Sequence, residues 1–203
     1  VFFQNEFFDL LSTTFDYTFF GTIGSIVFGI LTAQLVNQKF FGRTFMRSVL
    51  LFPYVGPVVA LAYTWELLLD PYSGTLNNLL MNFQVIQEPL NLLGQKYLTI
   101  NFFGFDLKLR LALTTVIIFE IWRYFPLAFL FILARLQAVP KELYEAADVD
   151  GAGPLQKFIN ITLPQITAVI SILFMIRFIW NFNKFEDIFL LTGGASGTRT
   201  LPI

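Results

Sequence analysis

The chain has 203 residues, of which 56% are hydrophobic and only 13% are charged, with a net charge of −1. Soluble domains carry about a quarter charged residues, so this composition excludes an ordinary water-covered surface and indicates a bilayer as the solvent. The near-neutral charge gives no sign of a nucleic-acid partner. The sequence has no histidine and no cysteine, which excludes disulfides and catalysis by either side chain within it.

The first apolar segment, residues 17–36, carries no charge and is long enough to cross roughly 30 Å of hydrocarbon as a helix. Small residues recur in it at every fourth position: Gly21, Ser25, Gly29 and Ala33. Such a stripe lets another helix approach closely. The alternative is that these small side chains simply face lipid.

Three further spans are expected. The second, residues 48–65, contains Pro53 and Pro57, which free backbone groups and kink a helix. The third covers about residues 111–136 and contains Glu120, Arg123 and Pro126, whereas the fourth covers about residues 165–191 and contains Arg177 and Lys184.

The loop at residues 37–47 carries three basic residues and no acid, so the positive-inside rule places it in the cytoplasm. Alternation then places residues 70–108 outside the cell and residues 138–164 inside. Within the outer loop, residues 76–83 and 90–93 are expected to form short interfacial helices. We interpret residues 1–203 as a single transmembrane domain. The chain begins without an initiator Met or a signal-peptide pattern and stops inside an apolar run, so we expect it to be a fragment of a longer membrane protein with further helices before and after it.

The cytoplasmic loop at residues 138–164 has its own helix signals. Pro140 suits the first position of a helix that continues through good helix-forming residues. Gly151 suits the left-handed conformation that ends this helix. Pro154 then starts a second short helix, and Pro164 marks the entry to the next span. Two short helices joined at a glycine corner, rich in acids and small alanines, suit docking onto a basic partner. The alternative is a plain connector between spans.

The same loop resembles a known signature. The matching residues are Glu145, Ala146, Ala147, Asp150, Gly151, Ala152, Phe158, Ile161, Leu163 and Pro164. Their spacing resembles the EAA motif of ABC-importer permeases. Flanking segments are similar to binding-protein-dependent sugar permeases, most closely to the larger-permease type of the maltose-transporter class. These segments are Leu51-Phe52-Pro53-Tyr54-Val55, Pro140-Lys141-Glu142-Leu143-Tyr144, Asn181-Phe182-Asn183 and Leu191-Thr192-Gly193-Gly194.

The resemblance implies an all-α polytopic protein with the type I ABC-importer transmembrane fold, in the cytoplasmic (inner) membrane of a prokaryote. It implies that Glu145, Ala146, Ala147, Asp150, Gly151, Ala152, Leu163 and Pro164 couple the chain to an ATPase. The implied partners are a second permease subunit, two ATP-binding subunits on the cytoplasmic face and an extracytoplasmic solute-binding protein. ATP and Mg²⁺ would bind to the ATPase subunits, so this chain would be a transport subunit without enzyme activity, cofactor or metal. The sequence contains no phosphate-binding loop motif.

Ionisable groups at membrane depth are costly, so they face a cavity or one another. Glu120 and Arg123 share a helix face at i, i+3, either as a pair lining the solute path or as an internal ion pair. In the fourth span a polar stripe at i, i+4 and i+7 is expected to line the path, with Trp180 and Tyr124 beside it as possible stacking partners for a sugar. The stripe consists of Arg177, Asn181 and Lys184.

The expected function is import of a sugar or related carbohydrate, driven by ATP. One alternative keeps the machinery but carries an anionic solute of the glycerophosphate type, drawn by Arg123, Arg177 and Lys184, unless Glu120, Glu186 and Asp187 neutralise these cations. A less favoured alternative is a secondary transporter or channel, and a third is an assembly subunit that moves nothing.

Overall fold

The computed structural model describes residues 2–102 and 105–193, and the side chains of residues 7–97 and 109–193. Gly194 of the last resembling segment lies outside the described residues. The described helices are α1 (Phe2–Asn37), α2 (Arg43–Val55), α3 (Val58–Leu69), α4 (Thr75–Asn82), α5 (Leu111–Gln137), α6 (Lys141–Val149), α7 (Pro154–Lys157), α8 (Leu163–Phe182) and α9 (Glu186–Thr192). A π-helical segment, Phe158–Thr162, joins α7 to α8.

Three of the described helical runs are long and apolar enough to cross a membrane: Phe7–Asn37, Leu111–Gln137 and Pro154–Phe182. The helices α2 and α3 qualify only when taken together as one broken span. The predicted helical membrane architecture is therefore confirmed, with three spans, or four if the bent pair is one span, where about four to five were expected. The predicted proline effect is also confirmed at Pro57, where one helix has ended and the next begins, whereas Pro53 lies inside α2.

The fourth span differs from its prediction, which placed it at residues 165–191. The helix α8 ends at Phe182, and the chain turns before α9 begins at Glu186. The interruption coincides with Asn183 and Lys184, polar residues at the end of an otherwise apolar run. Apolar residues occur again after the helix has ended, so apolar composition alone did not mark the end of the helix.

The loop between α3 and α5 is mostly irregular. The predicted helix at residues 76–83 is confirmed as α4. The predicted helix at residues 90–93 is wrong, because the segment forms a turn in which Asn91 Oδ1 accepts the backbone N–H of Gly94 at 2.7 Å. The sequence analysis also missed two antiparallel strands, β1 (Leu98–Phe102) and β2 (Phe105–Leu109), in which Leu98 pairs with Leu109 and Phe102 with Phe105.

The described chain divides into two compact units. The first comprises Val1–Gly21, Gly56–Glu120 and Trp180–Ile203, and the second comprises Thr22–Val55 and Ile121–Ile179. In the first unit, the ring of Trp65 packs edge-on against buried Phe119, with centroids 5.3 Å apart. The loop between α3 and α5 is tied to the start of α5, since Ala112 N–H donates to Gln95 O at 3.2 Å.

The second unit has an apolar core formed by the later part of α1, α5 and α8. Its buried members include Ile26, Ala33, Phe125, Phe129, Ile132, Leu136, Ile166 and Leu173. A Cβ on Gly29 would lie 2.6 Å from Ala128 Cβ and 2.9 Å from the backbone nitrogen of Phe129. Because only glycine permits this approach, the predicted packing role of the small-residue stripe is confirmed at Gly29.

Candidate functional site

The loop at residues 138–164, hereafter the EAA loop, is built around a glycine corner. Its first helix begins at Lys141, so Pro140 precedes the helix as its N-cap and is not its first residue as predicted. Gly151 has φ +72°, the left-handed conformation expected of the residue after the C-cap. The N–H of Ala152 then donates to Ala147 O at 2.9 Å, which satisfies a carbonyl at the helix end.

The second helix of the EAA loop is not a separate element as predicted. From Pro154, α7 passes through the π segment directly into α8, a helical run that ends at Phe182. The N–H of Leu163 donates to Phe158 O, five residues back. Such a wide turn gives room for the ring of Pro164, which would otherwise clash with the preceding turn.

The EAA loop presents charged and apolar side chains to its surroundings together. Glu142, Glu145, Asp148 and Asp150 are all exposed, and α6 buries no residue. Apolar Val149 and Leu155 are 88% and 69% exposed. An exposed surface that combines acids with large apolar side chains fits a basic, partly apolar groove on another protein better than it fits water.

Several side-chain bonds fix the EAA loop to the second unit. Tyr144 Oη and Thr162 Oγ1 form a hydrogen bond of 3.0 Å between α6 and the π segment. Lys157 forms an ion pair with Asp148 across the glycine corner. A cavity of about 260 Å³ lies beneath the loop, and it is lined by Gln34, Asn37, Gln38, Leu136, Tyr144, Pro154, Lys157, Phe158 and Thr162.

The end of α5 is fixed to the beginning of α8 by a single side chain. Arg135 donates from Nε to the carbonyl oxygen of Gln165 at 2.9 Å and from Nη2 to its Oε1 at 2.7 Å. Two bonds from one planar guanidinium define an orientation as well as a distance. The EAA loop therefore enters α8 beside a rigid joint.

A cluster of ionisable groups lies in the first unit, hereafter the Glu120 cluster: Tyr17, Glu120, Lys184 and Asp187. Glu120 Oε2 accepts a hydrogen bond from Tyr17 Oη at 3.0 Å and another from Lys184 Nζ at 2.9 Å. Lys184 Nζ also lies 2.6 Å from Asp187 Oδ2. Glu120 and Asp187 are fully buried, and the Lys184 side chain is 13% exposed. One ammonium group thus stands between two buried carboxylates.

Gly21 and Asn181 border the Glu120 cluster. A Cβ on Gly21 would lie 3.1 Å from Glu120 Cγ and 3.3 Å from Asn181 Nδ2, so glycine allows these side chains to lie against α1. Asn181 is 1% exposed. Its amide, the Tyr17 hydroxyl and the charged groups make up a compact polar region among apolar helices.

Arg177, Arg123, Tyr124 and Tyr54 form a second polar feature, hereafter the Arg177 stack, in the second unit. The guanidinium carbon of Arg177 lies 4.1 Å from the centroid of the Tyr124 ring, and that of Arg123 lies 4.9 Å from it. The ring of Tyr54 meets Tyr124 edge-on at 5.9 Å. Arg177 is 1% exposed, so it lies over the ring as a buried cation.

The predicted path residues therefore fall into these two features, with one exception. Trp180 is 52% exposed and lies on another face of α8 from Arg177 and Asn181, which are buried. The described contacts of Glu120 are with Tyr17 and Lys184, and those of Arg123 are with Tyr124, so the pairing of Glu120 with Arg123 stays a prediction. Sequence reasoning missed Tyr17 and Tyr54, because an isolated tyrosine in an apolar run carries no signal of its partner.

A known protein family matches most of the segments that carry these features. The family described as "Binding-protein-dependent transport system inner membrane component" matches residues 25–202. This match includes the whole of the EAA loop and the segments that carry the Arg177 stack.

Several curated proteins are similar over most of the chain. An inner membrane ABC transporter permease protein, YcjO of Escherichia coli, is 37% identical over 87% of this chain and 56% of its own length. The trehalose/maltose transport system permease protein MalF of Thermococcus litoralis is 31% identical over 98% of this chain and 62% of its own. The sn-glycerol-3-phosphate permease UgpA of E. coli is 29% identical over 100% and 64%. The chain therefore spans about three fifths of the length of these relatives.

Solved structures show the same fold. A bacterial ABC transporter that imports the acidic polysaccharide alginate matches with a TM-score of 0.78, at 23% identity, over 95% of this chain and 63% of that one. The alginate transporter in complex with its pentasaccharide-bound periplasmic protein matches with the same score at 24% identity. At this level of identity the likeness establishes the fold of this chain, the transmembrane fold of ABC importers.

Proposed function

Since the chain belongs to the family of binding-protein-dependent transport system inner membrane components, we propose that it is a permease subunit of an ATP-driven importer for a sugar or related carbohydrate. The observation that carries this proposal is the EAA loop, which displays acids and apolar side chains outside the membrane-spanning helices. Relatives named as maltose, trehalose and maltodextrin permeases support the sugar class.

In this proposal the EAA loop binds a cytoplasmic ATP-hydrolysing subunit. Glu145 and Asp150 offer charge to basic residues there, and Val149 enters an apolar part of the groove. Two such subunits hold ATP and Mg²⁺, a second permease completes the path, and an extracytoplasmic protein delivers the solute. Movement of the ATPases then reaches the span α8 through the continuous helix that begins at Pro154.

We assign the Glu120 cluster and the Arg177 stack, each by itself, to recognition of a neutral solute. The charge of Lys184 is compensated by the carboxylates of Glu120 and Asp187, so this cation does not need an anionic solute as its partner. Arg177 is directed onto the ring of Tyr124. An amide such as that of Asn181 and aromatic rings such as that of Tyr124 are of the kinds that hydrogen-bond to sugars and stack on them.

The coupling role is tested by charge reversal in the reconstituted transporter. Glu145→Lys is expected to abolish uptake and to weaken ATPase association while membrane insertion stays normal, and Gly151→Pro is expected to do the same. Glu88→Lys, a reversal of an exposed acid in the loop between α3 and α5, serves as the matched control and should transport normally. Full uptake by both EAA-loop variants would refute the coupling role.

The solute class is tested by competition in the same proteoliposomes. A neutral oligosaccharide should compete for uptake, whereas glycerol phosphate should not. Preference for glycerol phosphate would instead support the alternative that the transporter carries an anionic solute. Uptake that persists without any ATPase subunit would instead support a secondary transporter or channel. Normal uptake by Asn181→Ala and Lys184→Met together would remove these residues from the path.

A further inference from the structure

The helix α4 exposes large apolar side chains that a helix in water would bury, and it buries an amide. Its one buried side chain is the amide of Asn77, which is 1% exposed. Large apolar side chains point outward, with Phe83, at its C-cap, 76% exposed, Leu79 48% and Leu76 37%. A helix on a soluble surface shows the opposite arrangement.

Hydrogen bonds hold this orientation. Asn77 Nδ2 donates to Leu90 O at 2.9 Å, and the backbone N–H of Leu90 donates to Asn77 Oδ1 at 3.1 Å. Rotation of the helix to bury its leucines would break both bonds and leave a backbone pair unsatisfied. The outward apolar face is therefore a stable part of the fold.

The exposed side chains form one continuous stripe. Leu76, Leu79 and Phe83 follow at i, i+3 and i+7, with half-buried Leu80 at i+4, the spacing of a single helix face. Tyr72 before the helix and Val85 after it are 88% and 67% exposed and extend the apolar surface at either end. The surface is too large and too regular to be scattered exposure.

Charge and continuity identify what covers this stripe. No charged residue occurs from Pro71 to Gln87, whereas a protein-binding surface surrounds its apolar centre with a polar, charge-bearing rim. The stripe also follows closely on α3, a membrane-span segment whose Tyr63 and Leu67 are 57% and 73% exposed. Tyrosine is enriched where a membrane meets water.

We propose that α4, with Tyr72 and Phe83–Val85 beside it, lies in the membrane interface with Leu76, Leu79 and Phe83 inserted between lipid headgroups and acyl chains. The helix then anchors the loop between α3 and α5 to the bilayer, about 5–10 Å into the boundary. This inference depends on the membrane location of the family and not on the transported solute.

The chain offers a direct test because it has no cysteine. Leu79→Cys and Phe83→Cys are labelled with a bimane fluorophore in the assembled, reconstituted transporter, with partner subunits freed of accessible cysteines. Asn78→Cys is the matched control, since Asn78 is exposed on the far side of the same helix. The emission at positions 79 and 83 should shift to shorter wavelength and be quenched by lipids that carry a nitroxide near the headgroup. The label at position 78 should be quenched by aqueous iodide.

Two results would overturn the proposal. Equal quenching by iodide at positions 78, 79 and 83 would place the whole helix in water. Protection of positions 79 and 83 from both the lipid nitroxide and iodide would mean that protein covers the stripe. If the protection required the extracytoplasmic solute-binding protein, that protein would be the cover. If the protection persisted without it, the cover would be a permease partner. Retained uptake by the labelled variants verifies that the transporter is folded.

Discussion

The EAA loop and the Glu120 cluster both concentrate acidic residues, but the acids of the loop are exposed, whereas those of the cluster are paired inside the chain. In the EAA loop Glu142, Glu145 and Asp150 are exposed. In the Glu120 cluster two buried carboxylates share one ammonium group within the same chain. A charge exposed on a rigid loop is available to a second protein, whereas a charge paired in the interior contributes to the fold first. The same residue type therefore predicts a partner in one region and a tertiary contact in the other.

The strongest test of this comparison removes the shared cation. Lys184→Met leaves Glu120 and Asp187 buried together without compensation, and we expect the free energy of unfolding to fall by about 3–5 kcal/mol. Denaturant unfolding in detergent micelles measures it. Lys39→Met, at an exposed lysine, is the matched control and should be close to wild type. A loss below about 1 kcal/mol would mean that the cluster does not stabilise the fold.

The Tyr17 hydroxyl gives a smaller effect in the same cluster. Tyr17→Phe removes a hydrogen bond to a charged acceptor, which is worth about 1.5–3 kcal/mol. The ring itself remains, so packing is preserved. The same unfolding measurement applies, with Tyr63→Phe as the control because Tyr63 is 57% exposed on α3. Equal stability of the two variants would show that Glu120 does not depend on Tyr17.

The corner of the EAA loop should respond to backbone conformation and not to charge. Gly151→Ala forces a side chain into the left-handed region at φ +72°, at a cost of about 1–2 kcal/mol. Asparagine tolerates that region better, so Gly151→Asn should lose less. Gly153→Ala is the control, because Gly153 has φ −70° and a Cβ there would lie 3.8 Å from Gln156 Oε1, an ordinary contact. Amide hydrogen exchange across α6 measures the change, and identical exchange in the alanine variants would contradict it.

Asp70 differs from both regions, because its carboxylate accepts hydrogen bonds from residues of its own turn. Its Oδ1 accepts the backbone N–H groups of Ser73 at 2.7 Å and Tyr72 at 3.0 Å. The bond from the Ser73 backbone is the main cause that lowers the pKa of Asp70 from its ordinary 3.8. Because the folded pKa is the lower one, the turn keeps its full stabilisation above pH 3.8 and loses it as the pH falls through the folded pKa.

In the wild type, the Ser73 amide hydrogen is expected to exchange faster once the pH falls below the folded pKa of Asp70. Asp70→Asn keeps the oxygen acceptor but does not titrate, so the effect of acid should disappear in that variant. Exchange is measured at several acidic pH values and corrected for the intrinsic rate. The same acid response in the variant would assign the effect to another group.

The smallest effect on stability is expected in the EAA loop. Glu145→Gln removes an exposed charge, so the free energy of unfolding should stay within about 0.5 kcal/mol of wild type. Uptake by the reconstituted transporter should nevertheless fall if, as proposed, the charge binds an ATPase subunit. A large stability loss would show that Glu145 belongs to the fold of this chain and would weaken the comparison with the Glu120 cluster.

Helix spans and glycine conformation were predictable from sequence because both depend on local chemistry. The apolar runs predicted the long helices α1 and α5, although α1 begins at Phe2 and not at the predicted residue 17, and Gly151 predicted the corner after α6. The EAA motif also identified the family correctly, since its residues are close together in the chain.

Contacts between distant segments were not predictable in the same way. Tyr17 and Glu120 are separated by more than a hundred positions, and neither segment carries a sequence pattern that indicates contact with the other. The break after Phe182 was missed because the predicted span was continued through the polar segment at residues 183–187 to the apolar residues that follow it, whereas the helix ends at that segment. The paired strands β1 and β2 were missed because the loop was judged only by its turn-forming residues.

The wide turn at Phe158–Thr162 has a mechanical consequence. It allows Pro164 within an unbroken helical rod, so no flexible joint separates the EAA loop from the span. The Arg135 bonds to Gln165 hold this helical run against the end of α5 about 16 Å from Pro154, at about 1.5 Å per residue. The run from Pro154 into the span is therefore one connected helical body, and the sharp change of backbone direction lies at the glycine corner on the other side of α7.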